Sequence, residues 1–255
     1  MAHQQAIAVA LGQNLQTESL RLTSFFAPSV QVAGPTWWAD LVGGQPETTT
    51  SKPARGEFQQ AGPLSERTLT LSTQPGRVDW FLTPRFEEGV VPEGRWAGRF
   101  SDALEAFVPV MTQWLRTCPE VTRLAFGAIV YEPAVDKVAG YRRLADYLPS
   151  VRLDPEGSFD FFYQINRPRS STAMENLKIN RLSKWSVAAF VPVRLALAQG
   201  SIHPVVGEGE QACRIELDIS TGAERAEELP GANLPSLFEE LKNLAVELAT
   251  KGDVA

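Results

Sequence analysis

The stretch from Ala212 to Ser220 constrains this chain most, because its residue types alternate without a break. Cys213, Ile215, Leu217 and Ile219 fall on one face of an extended segment, and Arg214, Glu216 and Asp218 fall on the other. Successive strand side chains point to opposite sides of a sheet, so this pattern buries one face and wets the other. An antiparallel sheet covered on one side is the architecture that accepts such a strand. Arg67 to Thr83 repeats the pattern as a hairpin. Leu69 and Leu71 alternate with threonines before Pro75-Gly76, and Val78, Trp80 and Leu82 alternate after it. Pro and Gly supply the restricted and permissive φ values of the turn. Glu18 to Phe26 reads as a further strand, with Leu20, Leu22 and Ser24 set against Arg21, Thr23 and Phe25. Val121 to Tyr131 is apolar on both alternating faces, as expected of a central strand covered on both sides.

Helical spacing appears in three places. Ser101 is the expected N-cap of a helix with Leu104, Phe107, Val108, Met111 and Leu115 on its apolar face, Asp102 and Glu105 in its first turn, and Pro109 as a source of a kink. A second helix is expected over Val135 to Tyr147, burying Val138, Tyr141, Ala145 and Leu148. The last is the longest: Asn233 caps it, Leu234, Leu237, Phe238, Leu241, Leu244, Ala245 and Leu248 form a broad stripe, and Lys251 and Gly252 close it. Strands outnumber helices without regular βαβ alternation. The fold class is therefore α+β, a predominantly antiparallel sheet backed by helices with a long C-terminal amphipathic helix, in a single domain over residues 1–255. Trp37 and Trp38 open a short apolar turn ending at Val42. Gly43 to Pro63 is poor in apolar residues and rich in Gly, Pro and Thr, and reads as a mobile surface loop. No solenoid-type repeat is present.

A net charge of −6 over 255 residues argues against a generic nucleic-acid binder, which needs a basic field. No Lys or Arg precedes the apolar run Ala6 to Leu11, which is too short for a signal-peptide core or a bilayer span, so a cytoplasmic protein without membrane contact is expected. Cys118 and Cys213 lack a C-x-x-C partner and read as small buried hydrophobes. His3 and His203 are the two histidines, and neither stands near a nucleophile elbow. Phosphate-cradling glycine motifs are absent. No cofactor is implied.

Two groups of residues carry possible chemistry. Glu216 and Asp218, two apart on one strand face, are candidates for a shared Mg²⁺ or an acid/base pair, with Glu208 and Glu210 as further ligands if the preceding turn folds back. The competing reading is a solvated polar face partly neutralised by Arg214. The second group is a basic arm at residues 167–184, between two strand signals in the stretch Ser158 to Leu195. Phe159, Phe161, Tyr163 and Ile165 form one flank, and Trp185, Val187, Ala189, Val191 and Val193 the other. The arm places Arg167, Arg169, Lys178, Arg181 and Lys184 against the single acid Glu175, and Ile-Asn-Arg occurs twice, with Asn166 and Asn180 at its centres. Such a reversal of charge in an acidic chain fits single-stranded nucleic acid, with Phe161, Tyr163 and Trp185 available for stacking. It equally fits cations that neutralise the protein's own carboxylates, with Asn166 and Asn180 making turns, or a short helix begun by the capping-box pattern Thr172 to Glu175. A structural or protein-contact role is the favoured reading of the arm.

Arg-Leu-Ala-Phe-Gly at 123–127, Tyr-x-x-Leu-x-x-Tyr-Leu-Pro at 141–149, Ile-Glu-Leu-Asp-Ile at 215–219 and the terminal amphipathic helix together resemble a sporadically distributed family of uncharacterised bacterial proteins of similar length. The resemblance covers the C-terminal half. It implies a bacterial, cytoplasmic origin and the same fold class, and brings no active-site residue; the Asn-Arg arm departs from it. A sheet followed by a long C-terminal helix is also similar, as fold analogy alone, to SecB-like chaperones. The expected function is that of a non-enzymatic interaction protein with a protein partner or a second copy of itself, as an accessory subunit of a stress, toxin–antitoxin or defence assembly. The six tryptophans, several in loop-like contexts, are the expected contact anchors. Single-stranded nucleic-acid binding through the arm and metal-dependent hydrolysis at Glu216 and Asp218 are the alternatives.

Overall fold

A computed structural model describes residues 11–28, 30, 36–86, 96–190, 193–198, 201–206, 209–223 and 227–253, with the side chains at 191–208 outside that description. His3, residues 6–10 of the N-terminal apolar run, Glu208 and the side chains of Val191, Val193 and His203 therefore lie outside the described residues.

The alternating segments pair into one large antiparallel sheet. In chain order the first half comprises β1 (Gln16–Phe25), α1 (Trp37–Val42), β2 (Thr48–Lys52), β3 (Glu57–Leu64), β4 (Arg67–Gln74), β5 (Arg77–Pro84) and α2 (Phe100–Leu115). The second comprises β6 (Arg123–Ala134), α3 (Lys137–Tyr147), β7 (Phe162–Asn166), β8 (Arg169–Ser170), β9 (Lys178–Phe190), β10 (Val193–Ala198), β11 (Ser201–Val206), β12 (Glu210–Thr221) and α4 (Leu234–Lys251). Strand order is β2-β3-β4-β5-β1-β6-β12-β9-β7, with β8 also on β9 and β10–β11 forming a separate two-stranded sheet.

This order contains a repeat of path that no repeat of sequence announces. In each half a first strand (β1, β6) is followed by a helix, then by a meander that works inward until its last strand (β5, β12) pairs with the first, and then by a long helix (α2, α4). The two first strands are antiparallel neighbours, with Arg21 opposite Gly127, so an approximate two-fold relates the halves. β7 and β8 together occupy the place of β3, and β2 has no counterpart in the second half.

All four helices lie on one face. Trp38 and Trp114, from α1 and α2, pack on Trp80 of β5, and Phe238 of α4 packs edge-on against Phe126 of β6. Leu20, Leu22, Leu69, Leu71, Trp80, Leu124, Phe126, Ile215, Leu217, Ile179 and Trp185 line the sheet side of this layer and are buried. The alternation at 213–219 thus buries its apolar face under helices as expected, and the hairpin at 67–83 turns at Pro75-Gly76, with Gly76 at φ 70.

Several expectations are corrected. The mobile loop of 43–63 is instead the hairpin β2–β3, in register from Thr48↔Ala61 to Lys52↔Glu57. The turn at Trp37–Val42 is the helix α1, closed by Gly43 at φ 77. α2 begins one residue before Ser101, with Arg99 at the N-cap, while the Ser101 hydroxyl bonds Asp102, and Pro109 lies inside the 16-residue helix. α3 is capped by the Asp136 carboxylate and buries Gly140, Tyr141, Leu144 and Tyr147 rather than Val138 and Ala145. β6 is buried along most of both faces, but among the described residues helices cover only one: on the other, Ala125, Gly127 and Tyr131 are buried, Tyr131 against Trp96 and Phe190, while Arg123 and Ile129 are half-exposed. Trp38, Trp80, Trp114 and Trp185 are fully buried, so these four are core residues and not contact anchors. Cys213 is buried and Cys118 half-buried.

Candidate functional site

The basic arm folds as an interrupted edge strand against a longer inner one. β9 begins at Lys178, well before the expected Trp185, and takes in three of the arm's five cations. Its partner is shorter than expected: β7 starts at Phe162, leaving Phe159 74% exposed outside the sheet. The two Ile-Asn-Arg copies lie across from each other. Asn166 Nδ2 donates to Asn180 Oδ1 at 3.0 Å, Asn166 Oδ1 accepts from the Arg181 N–H at 2.9 Å, and the Arg167 N–H reaches the Arg181 carbonyl at 3.3 Å. The asparagines therefore lock a strand pair and the isoleucines share the helix-facing side. Residues 172–176 form bends and turns, not the short helix that Thr172 to Glu175 suggested.

Strand alternation sends the cations to opposite faces. Arg167 and Arg181 turn toward the C-terminal end of α4, where Asp253 and Glu247 wait. Gly252 makes this possible: at φ 80 it reverses the chain so closely over α3 that an added Cβ would collide with the Tyr147 carbonyl, which accepts the Asp253 N–H at 2.9 Å. The fully buried Asp253 carboxylate then receives Arg167 Nε at 2.6 Å, Arg167 Nη2 at 2.9 Å and the Tyr163 hydroxyl at 3.2 Å. The Arg167 bonds hold the Asp253 carboxyl below its ordinary value against the opposing effect of burial. Arg181, whose side chain is 1% exposed, lies 3.5 Å from Glu247, which also meets Arg169 at 3.2 Å and Lys251 at 3.9 Å. Burial, and then repulsion from Arg169, draws the Arg181 guanidinium below its usual value.

Two turns further back on α4 from Glu247, Glu240 is gripped by the arm itself. Its carboxylate accepts from the Ser171 hydroxyl at 2.6 Å, the Thr172 N–H at 2.6 Å, the Thr172 hydroxyl at 2.8 Å and the Ala173 N–H at 3.3 Å. Burial works to raise its pKa, but these donors outweigh it and the carboxyl sits low. A cleft of about 610 Å³ runs between this part of the arm and α4, lined by Arg169, Thr172, Glu240, Asn243, Glu247 and Lys251 among others. Glu240 and Glu247 stand seven residues apart, two turns along one helix face. That spacing was the available sign of an acidic seam.

Lys184 leaves this group altogether. It lies on the opposite, helix-free face and donates to Glu216 at 2.6 Å, while Arg214 reaches the same carboxylate at 2.9 Å. Arg214 also donates to the Tyr131 hydroxyl, which in turn bonds Glu18; burial, reinforced by Glu18, pushes the Tyr131 hydroxyl up to about 12. Asp218 pairs with Arg21 at 3.2 Å, whose guanidinium lies across Gly127 where a side chain would crowd it. Glu216 and Asp218 are thus the acidic rungs of a cross-strand ladder. Burial raises the Glu216 carboxyl less than Lys184 and Arg214 lower it, so it sits below its ordinary value. Among the described residues no three His, Cys, Asp or Glu side chains gather into a group that could hold a metal ion. Lys178 is exposed at the start of β9. The five cations therefore do not converge on one surface.

A third ionic knot escaped the sequence. Buried Glu132 of β6 pairs with Arg143 and accepts the Tyr147 hydroxyl, which accepts the Gly12 N–H at 3.0 Å and so ties the segment before β1 to α3. Compared with protein-family models, curated proteins and solved structures, the chain matches none. Among the described residues no helix is long and apolar enough to cross a membrane.

Proposed function

We propose that this chain is a non-enzymatic bacterial interaction protein, an accessory subunit of a stress, toxin–antitoxin or defence assembly, and that the sheet face left without helices among the described residues receives a protein partner. The observation that carries this reading is the one-sided layering. Among the described residues the nine strands along the sheet's path have four helices on one side, while the other side presents half-exposed Phe25, Phe81, Ile129 and Leu182 among paired charges, with Phe162 58% exposed at the margin. Eight inter-strand gaps make the face roughly 38 Å wide, and eight-residue strands make it roughly 26 Å long. About 1,000 Å² is then on offer, against the about 800 Å² per partner of a standard interface. Apolar centres set among paired charges are what a separable interface presents. The internal pairing of Arg167, Arg169, Arg181 and Lys184 supports a protein over a polyanion as partner.

The test is size-exclusion chromatography with mass measurement after affinity capture from the native host, using wild type and Phe81→Asp/Phe162→Asp. The expected result is a heteromeric complex with wild type that is lost in the variant, with unchanged circular dichroism. Wild type recovered without another protein, or a variant that holds the same partner equally well, would overturn the reading.

A further inference from the structure

β2 is a strand the fold does not use for its core. All five of its residues, Thr48, Thr49, Thr50, Ser51 and Lys52, are exposed, and among the described residues the repeated path of the second half has no strand in its place. A strand normally earns its order by burying one face; this one buries neither. What it presents is an edge. Among the described residues β2 pairs only with β3, so its outer N–H and C=O groups are free, and its register is regular from end to end.

The opposite edge of the sheet is guarded. There the outer strand breaks between Asn166 and Arg169 around Pro168, and an asparagine side chain takes the Arg181 N–H. Proline, interruption and side-chain capping are the usual devices against edge-to-edge pairing. β2 has no proline, no bulge and one charge at its end, and its Thr-Thr-Thr-Ser sequence favours strand.

We propose that β2 is a homodimerisation edge, pairing antiparallel with β2 of a second copy across a two-fold at Thr50. An antiparallel pair related by a two-fold perpendicular to the sheet must place a residue opposite itself, because only then do matching side chains share a face. With Thr50 on the axis, Thr49 faces Ser51 and Thr48 faces Lys52 of the second copy. Hydroxyl residues then meet hydroxyl residues, and the single lysine meets a threonine instead of its like. A second copy is therefore complementary in hydrogen bonding and sets no like charges opposite each other, and the two sheets join into one.

The experiment is sedimentation equilibrium on the full chain over a range of concentrations. Wild type should approach twice its 28.0 kDa mass. Thr50→Lys and Thr50→Glu, at a position that buries nothing, should each weaken the dimer by roughly fivefold or more through like charges on the axis. Mixing the two variants should restore association as a heterodimer. Wild type that stays monomeric to the highest soluble concentration, or a dimer indifferent to both substitutions and to their mixing, would overturn the proposal. A heteromeric complex lost only in the Phe81→Asp/Phe162→Asp variant reads the sheet face separately, so the two ideas fail independently.

Discussion

The first half of the molecule fills the layer between sheet and helices with tryptophan, and the second adds paired ions to an apolar layer built on Phe126, Phe238 and Trp185. Trp80 of β5 lies 5.9 Å from Trp114 of α2 and 6.5 Å from Trp38 of α1, centroid to centroid. On the other side of the two-fold, Arg181 of β9 lies under α4 against Glu247, and Arg167 grips Asp253 beyond the helix end. The same path is therefore closed by dispersion and apolar burial in both halves, and in the second half by ion pairs as well. The difference matters because the two chemistries fail differently. Aromatic contact weakens in proportion to the area removed, whereas a buried pair that loses one partner leaves an uncompensated charge. Paired ions also dictate where α4 and the arm sit, which a greasy contact does not.

The largest effect expected from this contrast is on the tryptophan side. Trp80→Ala should lower stability by roughly 3–5 kcal/mol, read from denaturant unfolding. A loss below about 1 kcal/mol would mean the aromatic layer is not the core of the first half. Next comes an asymmetry within one ion pair. Glu247→Gln leaves the buried Arg181 charge without its counter-ion and should cost roughly 2–3 kcal/mol, reduced from the fully buried case because Glu247 is part-exposed. Arg181→Met removes the charge instead and should be near neutral or stabilising. Equal losses in both would show that the pair itself, and not an orphaned charge, carries the energy.

The smallest effect is a pH dependence. The Asp253 carboxyl has a folded pKa below its ordinary 3.8, so the unfolded chain takes up this proton first. Its contribution is complete above that ordinary value and is lost as the pH falls through the lower folded one. Asp253→Asn should therefore be less stable than wild type at pH 7 by roughly 1–3 kcal/mol, with the difference shrinking in strong acid. A difference that stays constant down to the acid transition would contradict the pairing with Arg167.

What the sequence could and could not foretell follows from the range of each interaction. The hairpin at 67–83, the strand at 212–220 and the C-terminal helix were legible because their signals are local: alternation, a Pro-Gly turn and a spaced apolar stripe. β2 was illegible for the opposite reason. Exposed on both faces, it has no periodicity, and its threonines read like loop residues. The arm's cations were found, but their destinations were not, since Arg167 and Asp253 lie 86 residues apart and Ser171 and Glu240 lie 69 apart. Glu216 and Asp218 looked like a candidate ligand pair because Lys184 and Arg21, which neutralise them, come from other strands. The repeated path left no trace because the halves fill equivalent positions with different chemistry.

The arm is held to α4 by the helix's own acids. Hydrogen exchange of the Thr172, Ala173 and Met174 amides tests this directly, since the first two donate to Glu240 and Ala173 and Met174 also donate to the Ser171 hydroxyl. The prediction is exchange markedly slower than in an unstructured chain, with protection at these amides lost in Glu240→Ala while the interior of α4 stays protected. Wild-type amides that exchange at free-loop rates beside a protected α4 would show that the arm is not clasped, and that its cations are open to a partner after all.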